Sequence, residues 1–343
     1  MEGRSLVTKH AIGILATGSY LPKEEVASAE VAKLVGVDPG WIERKTRIGA
    51  RRYAAPGEAT SDLASRAAAS ALEQGGIDPA SIDYLIVATS TGDYPQPPTS
   101  CLVQNALGAD RAGCFDINAV CSGFIYALAL ARGLVAQAPA ARVLVVAADL
   151  YSRILDFSDR RTAVLFGDGA GAAVVGTLPD GYGILDVSLA NHGDRHRLIR
   201  VESGGSREPT SQQTLESGGH FFRMDGRAVS EFVLEHVPPV LADLVTRAGY
   251  RLDEIDHFVP HQANGVLLDE LVARAGLSGA RTARTLERYG NVGSASVPVT
   301  LDEASRAGRL CAGDIVLLAG FGGGMSVGAC LMRWSAPASR EER

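Results

Sequence analysis

A chain of 343 residues, 46% hydrophobic and 21% charged, is long enough for a large core, and two domains or one duplicated domain suit that length better than one small unit. Its formal charge of -6 gives no general reason to expect nucleic acid as a partner, and apolar runs such as Val143 to Ala148 fall well short of the roughly 18 residues that span a bilayer. Five cysteines, Cys101, Cys114, Cys121, Cys311 and Cys330, form no Cys-x-x-Cys pair and follow no secretory hydrophobic region, so they read as reduced, cytoplasmic thiols with no metal site.

In chain order, Ala11 to Ala16 reads as a strand ending in a Gly-Ser-Tyr-Leu-Pro turn, and Ser28 to Leu34 as a short helix. Trp41 to Arg52 is a basic cluster in an otherwise acidic chain: a solvated face, or a landing patch for phosphate in which Trp41 stacks on a flat ring. Ser61 to Gln74 is helical, Gly75-Gly76 ends it, and Ile82 to Thr89 is a buried strand. Next comes Asn118-Ala119-Val120-Cys121-Ser122-Gly123, leading into the apolar run Phe124 to Val135. That run is apolar on nearly every face and reads as a buried central helix with Cys121 at its N-terminus. The helix dipole and the first-turn N–H groups favour a thiolate there, and the small Ser122 and Gly123 leave room for a substrate. A lone cysteine is more often structural, so a partner from elsewhere in the chain must decide the question.

The second half repeats the first. Leu244 to Gly249 closes a helix and Ile255 to His261 follows as a strand. Asp83 corresponds to Asp256, Cys121 to Ser294 and Val143 to Val316, each 173 residues on, and Ala170 to Gly176 resembles Gly324 to Cys330. The repeat implies a fused duplication of one α/β unit with a joint near residues 177 to 183, giving halves 1–178 and 179–343. Each half then carries a mixed sheet, and the two central helices pack together as the middle of five layers. The polar segment from Asn191 to His220 breaks the repeat and reads as a loop over a site or a surface excursion.

The second half also supplies partners for the thiol. His261 ends a buried strand in Pro260-His261-Gln262-Ala263-Asn264, and Asn291 lies in the loop entering the second central helix. Because Ser294 is the repeat partner of Cys121, the duplication brings Asn291 towards Cys121 across a pseudo-twofold axis. Singly, His261 could be a buried core histidine and Asn291 a turn residue; together, in these contexts, they point to catalysis.

With these blocks stand Phe166-Gly167-Asp168-Gly169-Ala170-Gly171-Ala172, Gly290-Asn291-Val292-Gly293-Ser294-Ala295-Ser296 and Gly320-Phe321-Gly322-Gly323-Gly324. In this order they make the chain, from about residue 11 to 334, resemble a β-ketoacyl-acyl carrier protein synthase III. That family is one of condensing enzymes with the thiolase-like five-layer αβαβα fold. The Gly320 to Gly324 run lacks a following Lys-Ser/Thr, so a nucleotide site is rejected. The glycines of 167 to 171 are expected to allow close packing near the thiol.

The resemblance implies that Cys121 takes an acyl group from an acyl-CoA, with an oxyanion hole from the backbone N–H groups of Cys121 and Gly323. His261 and Asn291 would then stabilise the enolate formed when a malonyl thioester, on acyl carrier protein or CoA, loses CO2. It implies adenine between Trp41 and Arg160, with Lys45 nearby and the pantetheine arm running past Gly226, Ala263 and Asn264. Leu165, Phe166 and Phe321 would line an acyl pocket that Gln96, in place of an aromatic, helps to close across a homodimer. In that dimer the strand after the central helix pairs across a twofold axis. No cofactor beyond the CoA thioesters, no nucleic acid and no membrane is implied. Lys45 replaces the family's usual Arg, Arg47 and Arg161 each replace a Gly, and Val266 replaces an Arg used to dock the acidic carrier protein. These departures suggest a specialised member that primes a polyketide or another secondary metabolite, with an altered starter. A non-decarboxylating acyltransferase is the alternative; the intact Cys, His and Asn argue against it and against a non-catalytic subunit.

Overall fold

The computed structural model describes residues 11 to 336. The first half forms β1 (Ala11–Tyr20), β2 (Glu24–Ala27), α1 (Ser28–Val35), α2 (Pro39–Thr46), β3 (Ala50–Tyr53), α3 (Thr60–Gly75), β4 (Tyr84–Ala88), α4 (Thr99–Leu107), β5 (Gly113–Ile117), α5 (Gly123–Gln137), β6 (Val143–Leu150) and β7 (Asp168–Leu178). The second forms β8 (Gly183–Asn191), β9 (Ile199–Val201), α6 (Gln212–Glu216), β10 (Phe222–Met224), α7 (Gly226–Arg247), β11 (His257–Pro260), α8 (Gly265–Arg274), β12 (Arg281–Thr282), α9 (Leu286–Tyr289), α10 (Ser296–Arg306), β13 (Ile315–Gly322) and β14 (Ser326–Arg333). Strand β1 is longer than its sequence suggested. Gly18, Ser19 and Tyr20 stay in the ladder opposite Ala172, Gly171 and Ala170, so the chain turns only after Tyr20.

Two five-stranded sheets share one plan. Their orders are β1-β7-β6-β4-β5 and β8-β14-β13-β11-β12, and in both the first two pairings are antiparallel and the last two parallel. The repeat extends to single hydrogen bonds. The Asp83 carboxylate accepts from Arg142 N at 2.9 Å, and the Asp256 carboxylate accepts from Ile315 N at 2.8 Å. Only the last matched block is out of register. Ala170 pairs with Ala148, and Phe321, the counterpart of Ala148, pairs with Val327, so Val327 rather than Gly324 answers to Ala170.

The strands read as near-continuous apolar runs because both sheet faces are covered. In β4, Ile86 points to the shared core and Leu85 to the outer one. The shared core holds α5 and α10 between the sheets, with Phe124, Leu128, Val297 and Leu301 against Val145, Val259 and Leu318. Helix α3 covers the outer face of the first sheet, and α7 and α8 that of the second, completing five layers. The span Val120–Gln137 is, contrary to the sequence reading, long and apolar enough to resemble a membrane span by composition. Its apolar side chains instead fill the space between two sheets, which explains a helix with apolar residues on several faces.

Strand β6 lies between β4 and β7, so both its edges are occupied and it cannot pair across a twofold axis as expected. The sheet's edges are β1 and β5; β5 is the strand before the central helix, where Phe115 is 36% exposed. The 191 to 220 segment carries regular structure: a 3-10 turn over Gly193–Leu198, β9, which pairs with β10 just beyond the segment, and α6. Phe222 of that pair is buried beside Tyr151 and Phe166.

Candidate active site

Cys121 lies in a 3-10 turn, Val120–Ser122, that runs straight into α5. Val120 has φ +46°, a left-handed conformation that costs a β-branched residue about 1–3 kcal/mol. Opposite, β13 passes so close that a Cβ on Gly322 would lie 2.7 Å from Cys121 Cβ and 3.0 Å from Sγ. A Cβ on Gly320 would lie 2.9 Å from Ser122 Cα. These glycines, rather than those of 167 to 171, allow close packing at the thiol. Gly167 and Gly171 instead admit Tyr289 O and Pro298 from the second half, because β7 packs against the approach to α10. Gly323, expected in the oxyanion hole, follows Gly322 directly and sits against Val120, where an added Cβ would be 3.2 Å from Cγ2.

The sulfur's surroundings correct the expectation of a preformed thiolate. Cys121 is 6% exposed, and burial, with the nearby Asp149 carboxylate adding to it, pushes its thiol up to about 12. Desolvation therefore outweighs the start of the helix, and the resting group is a thiol. Tyr151 neighbours the sulfur and is itself buried, with its ring stacked on Phe166 at 4.5 Å.

His261 stands one residue beyond β11, where its N–H donates to Ala319 O of β13 at 2.7 Å, beside the glycines that face Cys121. It is 1% exposed, and burial lowers its pKa to about 3, so the imidazole is neutral. Its Nδ1 has no hydrogen-bond partner among the described residues, and Phe321 meets its ring edge-on at 5.3 Å. Asn291, 5% exposed, is held by a bridge to Phe166: Asn291 N donates to Leu165 O and Gly167 N to Asn291 O. Asn291 Oδ1 accepts from Gly293 N at 3.0 Å, which fixes the amide plane and leaves Nδ2 as the donor end. Gly293 in turn packs on Tyr151 and Asp149, the two titratable neighbours of the thiol.

Asp149 and Tyr151 are site residues that sequence reasoning missed. Asp149 is fully buried; its Oδ1 accepts from Ser90 N and Oγ at 2.9 Å each, and its Oδ2 from Ser294 N at 2.8 Å and Ser294 Oγ at 2.7 Å. One carboxylate thus ties the β4 end to the repeat partner of Cys121. The available signal was an acid closing an otherwise apolar strand, Val143 to Leu150.

A cavity of about 250 Å³ opens beside Asn291. Trp41, Lys45, Gly226, Ala263 and Asn264, named for the CoA arm, line it with Leu165, named for the acyl pocket, and with Thr46, Met224 and Leu267. Asn264 caps α8 by accepting from Val266 N and Leu267 N, and its Nδ2 donates to Lys45 O, clasping the two walls. Arg161, not Arg160, stands at the mouth. Arg160 and Arg161 are both exposed, and of the two only Arg161, paired with Asp159, borders the cavity. The other acyl-pocket candidates lie elsewhere. Phe166 is spent on the Tyr151 stack and Phe321 on His261. Gln96 is exposed in the loop before α4 and does not reach the cavity within one chain.

A buried thiol at the start of a central helix, facing neutral donors carried by the other half of a duplicated fold, defines a thiolase-like condensing enzyme. Family models for 3-oxoacyl-[acyl-carrier-protein] synthase III match residues 115–193 and, for its C-terminal part, residues 245–334. The chain is 49% identical to the acetoacetyl CoA synthase NphT7 of Streptomyces sp. (strain CL190), over 94% of this chain and 98% of the relative. It is 42% identical to the β-ketoacyl-[acyl-carrier-protein] synthase III of Caldanaerobacter subterraneus, over 95% and 99%. The crystal structure of a priming β-ketosynthase from the R1128 polyketide pathway superposes with a TM-score of 0.88 at 36% identity, covering 96% of this chain and 98% of that one. The protein belongs to the 3-oxoacyl-[acyl-carrier-protein] synthase III family. Its reaction is the decarboxylative condensation of an acyl-CoA with a malonyl thioester.

Proposed function

We propose that the enzyme loads a short acyl group, acetyl foremost, from CoA onto Cys121 and extends it with malonyl-CoA to a β-ketoacyl-CoA. The observation that supports this reading is that the second half supplies two buried neutral donors, His261, whose N–H is held by β13 one residue before the glycines that face Cys121, and Asn291, whose Nδ2 is left as the donor end. Two neutral donors lower the energy of an enolate where its charge develops, without protonating it first. In the loading half, attack of the sulfur on the thioester gives a tetrahedral oxyanion held by the N–H groups of Cys121 and Gly323, and CoA leaves. In the second half, His261 and Asn291 hold the malonyl thioester oxygen while CO2 departs, and the carbanion attacks the acyl-Cys.

A short starter is supported by the closed ring cluster that Tyr151, the sulfur's neighbour, forms with two phenylalanines. Tyr151, Phe166 and Phe222 contact one another at 4.5 to 5.5 Å between centroids and are all buried. CoA as the extender's carrier is supported by Val266, an apolar side chain 42% exposed on α8 where a docking cation would stand, and by the name of the Streptomyces relative. The reaction needs no cofactor beyond the thioesters. A homodimer through the β5 edge, and a cytoplasmic site suited to the five free thiols, complete the proposal.

Intact mass after incubation with an acyl-CoA panel, followed by a chase with malonyl-CoA or a malonyl-carrier protein, tests it. The expected result is one acetyl group on Cys121 and CO2 release with malonyl-CoA. Turnover with the carrier protein alone would reject the CoA extender. Acyl transfer to a hydroxyl or amine without CO2 would replace condensation with simple acyl transfer.

A further inference from the structure

Three consecutive glycines, Gly322 to Gly324, carry the chain past Cys121. The approach is close: a Cβ on Gly322 would lie 3.0 Å from Cys121 Sγ, and one on Gly323 would lie 3.2 Å from Val120 Cγ2. Glycine has more backbone freedom than any other residue, so an N–H mounted on such a run is poorly fixed by its own chain. Stabilising an oxyanion demands the opposite, donors set in place before the charge develops. The β13–β14 ladder holds one side of the run, where Gly322 pairs with Ser326. The same serine reaches back to the run and across to the thiol's turn. Its Oγ lies 2.9 Å from Gly323 O, 3.0 Å from Ser122 Oγ and 3.4 Å from Ala119 O, each an acceptor for its proton. Ala119 O also accepts from Ser122 N at 3.1 Å, within the turn that holds Cys121. One buried hydroxyl, 1% exposed, thus stands among three oxygens: one on the glycine run, and two on the residues that flank Cys121 in its turn.

We propose that Ser326 is a positioning residue that fastens the Gly323 segment to the Cys121 turn, and so holds the N–H groups of Cys121 and Gly323 at the separation an oxyanion hole needs. A hydroxyl has one proton. That of Ser326 goes to its nearest acceptor, Gly323 O, and the two turn oxygens compete for it, so neither segment can draw away from the other without leaving a buried oxygen short of a donor. Gly323 is then held from both sides, by the ladder at Gly322 and by Ser326 at its own carbonyl. Ser326 touches neither the thioester nor the sulfur in this account and acts only through the two donors. The demand on it is greatest in loading, where the thioester oxygen becomes an oxyanion as Cys121 attacks. The inference rests on the oxyanion hole assigned to Cys121 and Gly323 in the proposed function, and adds what keeps its two halves together.

Two reactions of the same thiol separate this role from a merely structural one. Loading of Cys121 from acetyl-CoA and its alkylation by iodoacetamide are measured side by side in the wild type, Ser326→Ala, Ser122→Ala and the double variant. Alkylation displaces iodide from a saturated carbon and forms no oxyanion, so it reports the thiol and its access but not the hole. For Ser326→Ala the expected result is a loading rate at saturating acetyl-CoA lowered by about tenfold or more, with KM and the alkylation rate unchanged. Ser122→Ala tests the same link from the turn side: it lowers loading less, and the double variant is no slower than Ser326→Ala, because both changes break one fastening. Loading at the wild-type rate in Ser326→Ala overturns the inference. A parallel fall of alkylation and loading also overturns it, since Ser326 would then only shape the turn, and so does strict additivity of the two single effects. A wild-type Cys121 that is alkylated but takes no acyl group would overturn the proposed function itself, and the inference with it.

Discussion

At the scale of single residues, the site depends as much on absent side chains as on present ones. Gly322 has no space for a methyl group beside Cys121, whereas Gly133, in the interior of α5, has nothing within 4 Å of an added Cβ. Gly322→Ala should therefore destabilise the protein by about 1–3 kcal/mol and abolish acyl loading. Gly133→Ala should stabilise it by about 0.5–1 kcal/mol with loading intact. Urea unfolding and intact-mass loading assays on the two variants check this; equal behaviour would mean that β13 does not hold the thiol as described. Such packing was only partly legible in the sequence. The glycine runs were visible, but which run faces the thiol depends on which strand crosses the start of α5, and no local pattern encodes that. The Cys121 pKa was misread for a related reason: a helix start is visible in sequence, whereas full burial beside Asp149 and Tyr151 is a property of the assembled layers.

At the scale of elements, the 173-residue repeat made most of the architecture legible. Asp83 and Asp256 anchor equivalent strands with equivalent hydrogen bonds, and Cys121 and Ser294 open equivalent central helices. Strand order was not legible. The strand after the central helix is as apolar as an interface strand would be, yet β6 is apolar because neighbours and layers surround it. The sheet ends instead in β1 and in the short β5, whose residues Gly113–Ile117 are exposed or half-buried throughout. Unpaired edges either are protected or pair with another chain. If the chain dimerises through the β5 edge as proposed, Phe115→Lys should give a monomer in sedimentation equilibrium while leaving urea stability of the subunit within about 0.5 kcal/mol. A variant that stays dimeric would place the interface elsewhere.

For the whole molecule, function follows from closing two copies of one unit face to face. The first half contributes a nucleophile with its aromatic and acidic surroundings; the second contributes His261 and Asn291, and neither half holds a complete site. Asp149 joins them, binding the β4 end on one side and Ser294 on the other. The central claim is that this division is also a division of labour, with Cys121 loading and His261 decarboxylating. The most direct test is a single-turnover chase of acetyl-loaded wild type and His261→Ala with carboxyl-labelled malonyl-CoA, following acyl-Cys121 by mass and CO2 by label. The account predicts normal loading in both and CO2 release slowed by about 100-fold or more in the variant. CO2 release at the wild-type rate from His261→Ala, or loss of loading with decarboxylation intact, would contradict it.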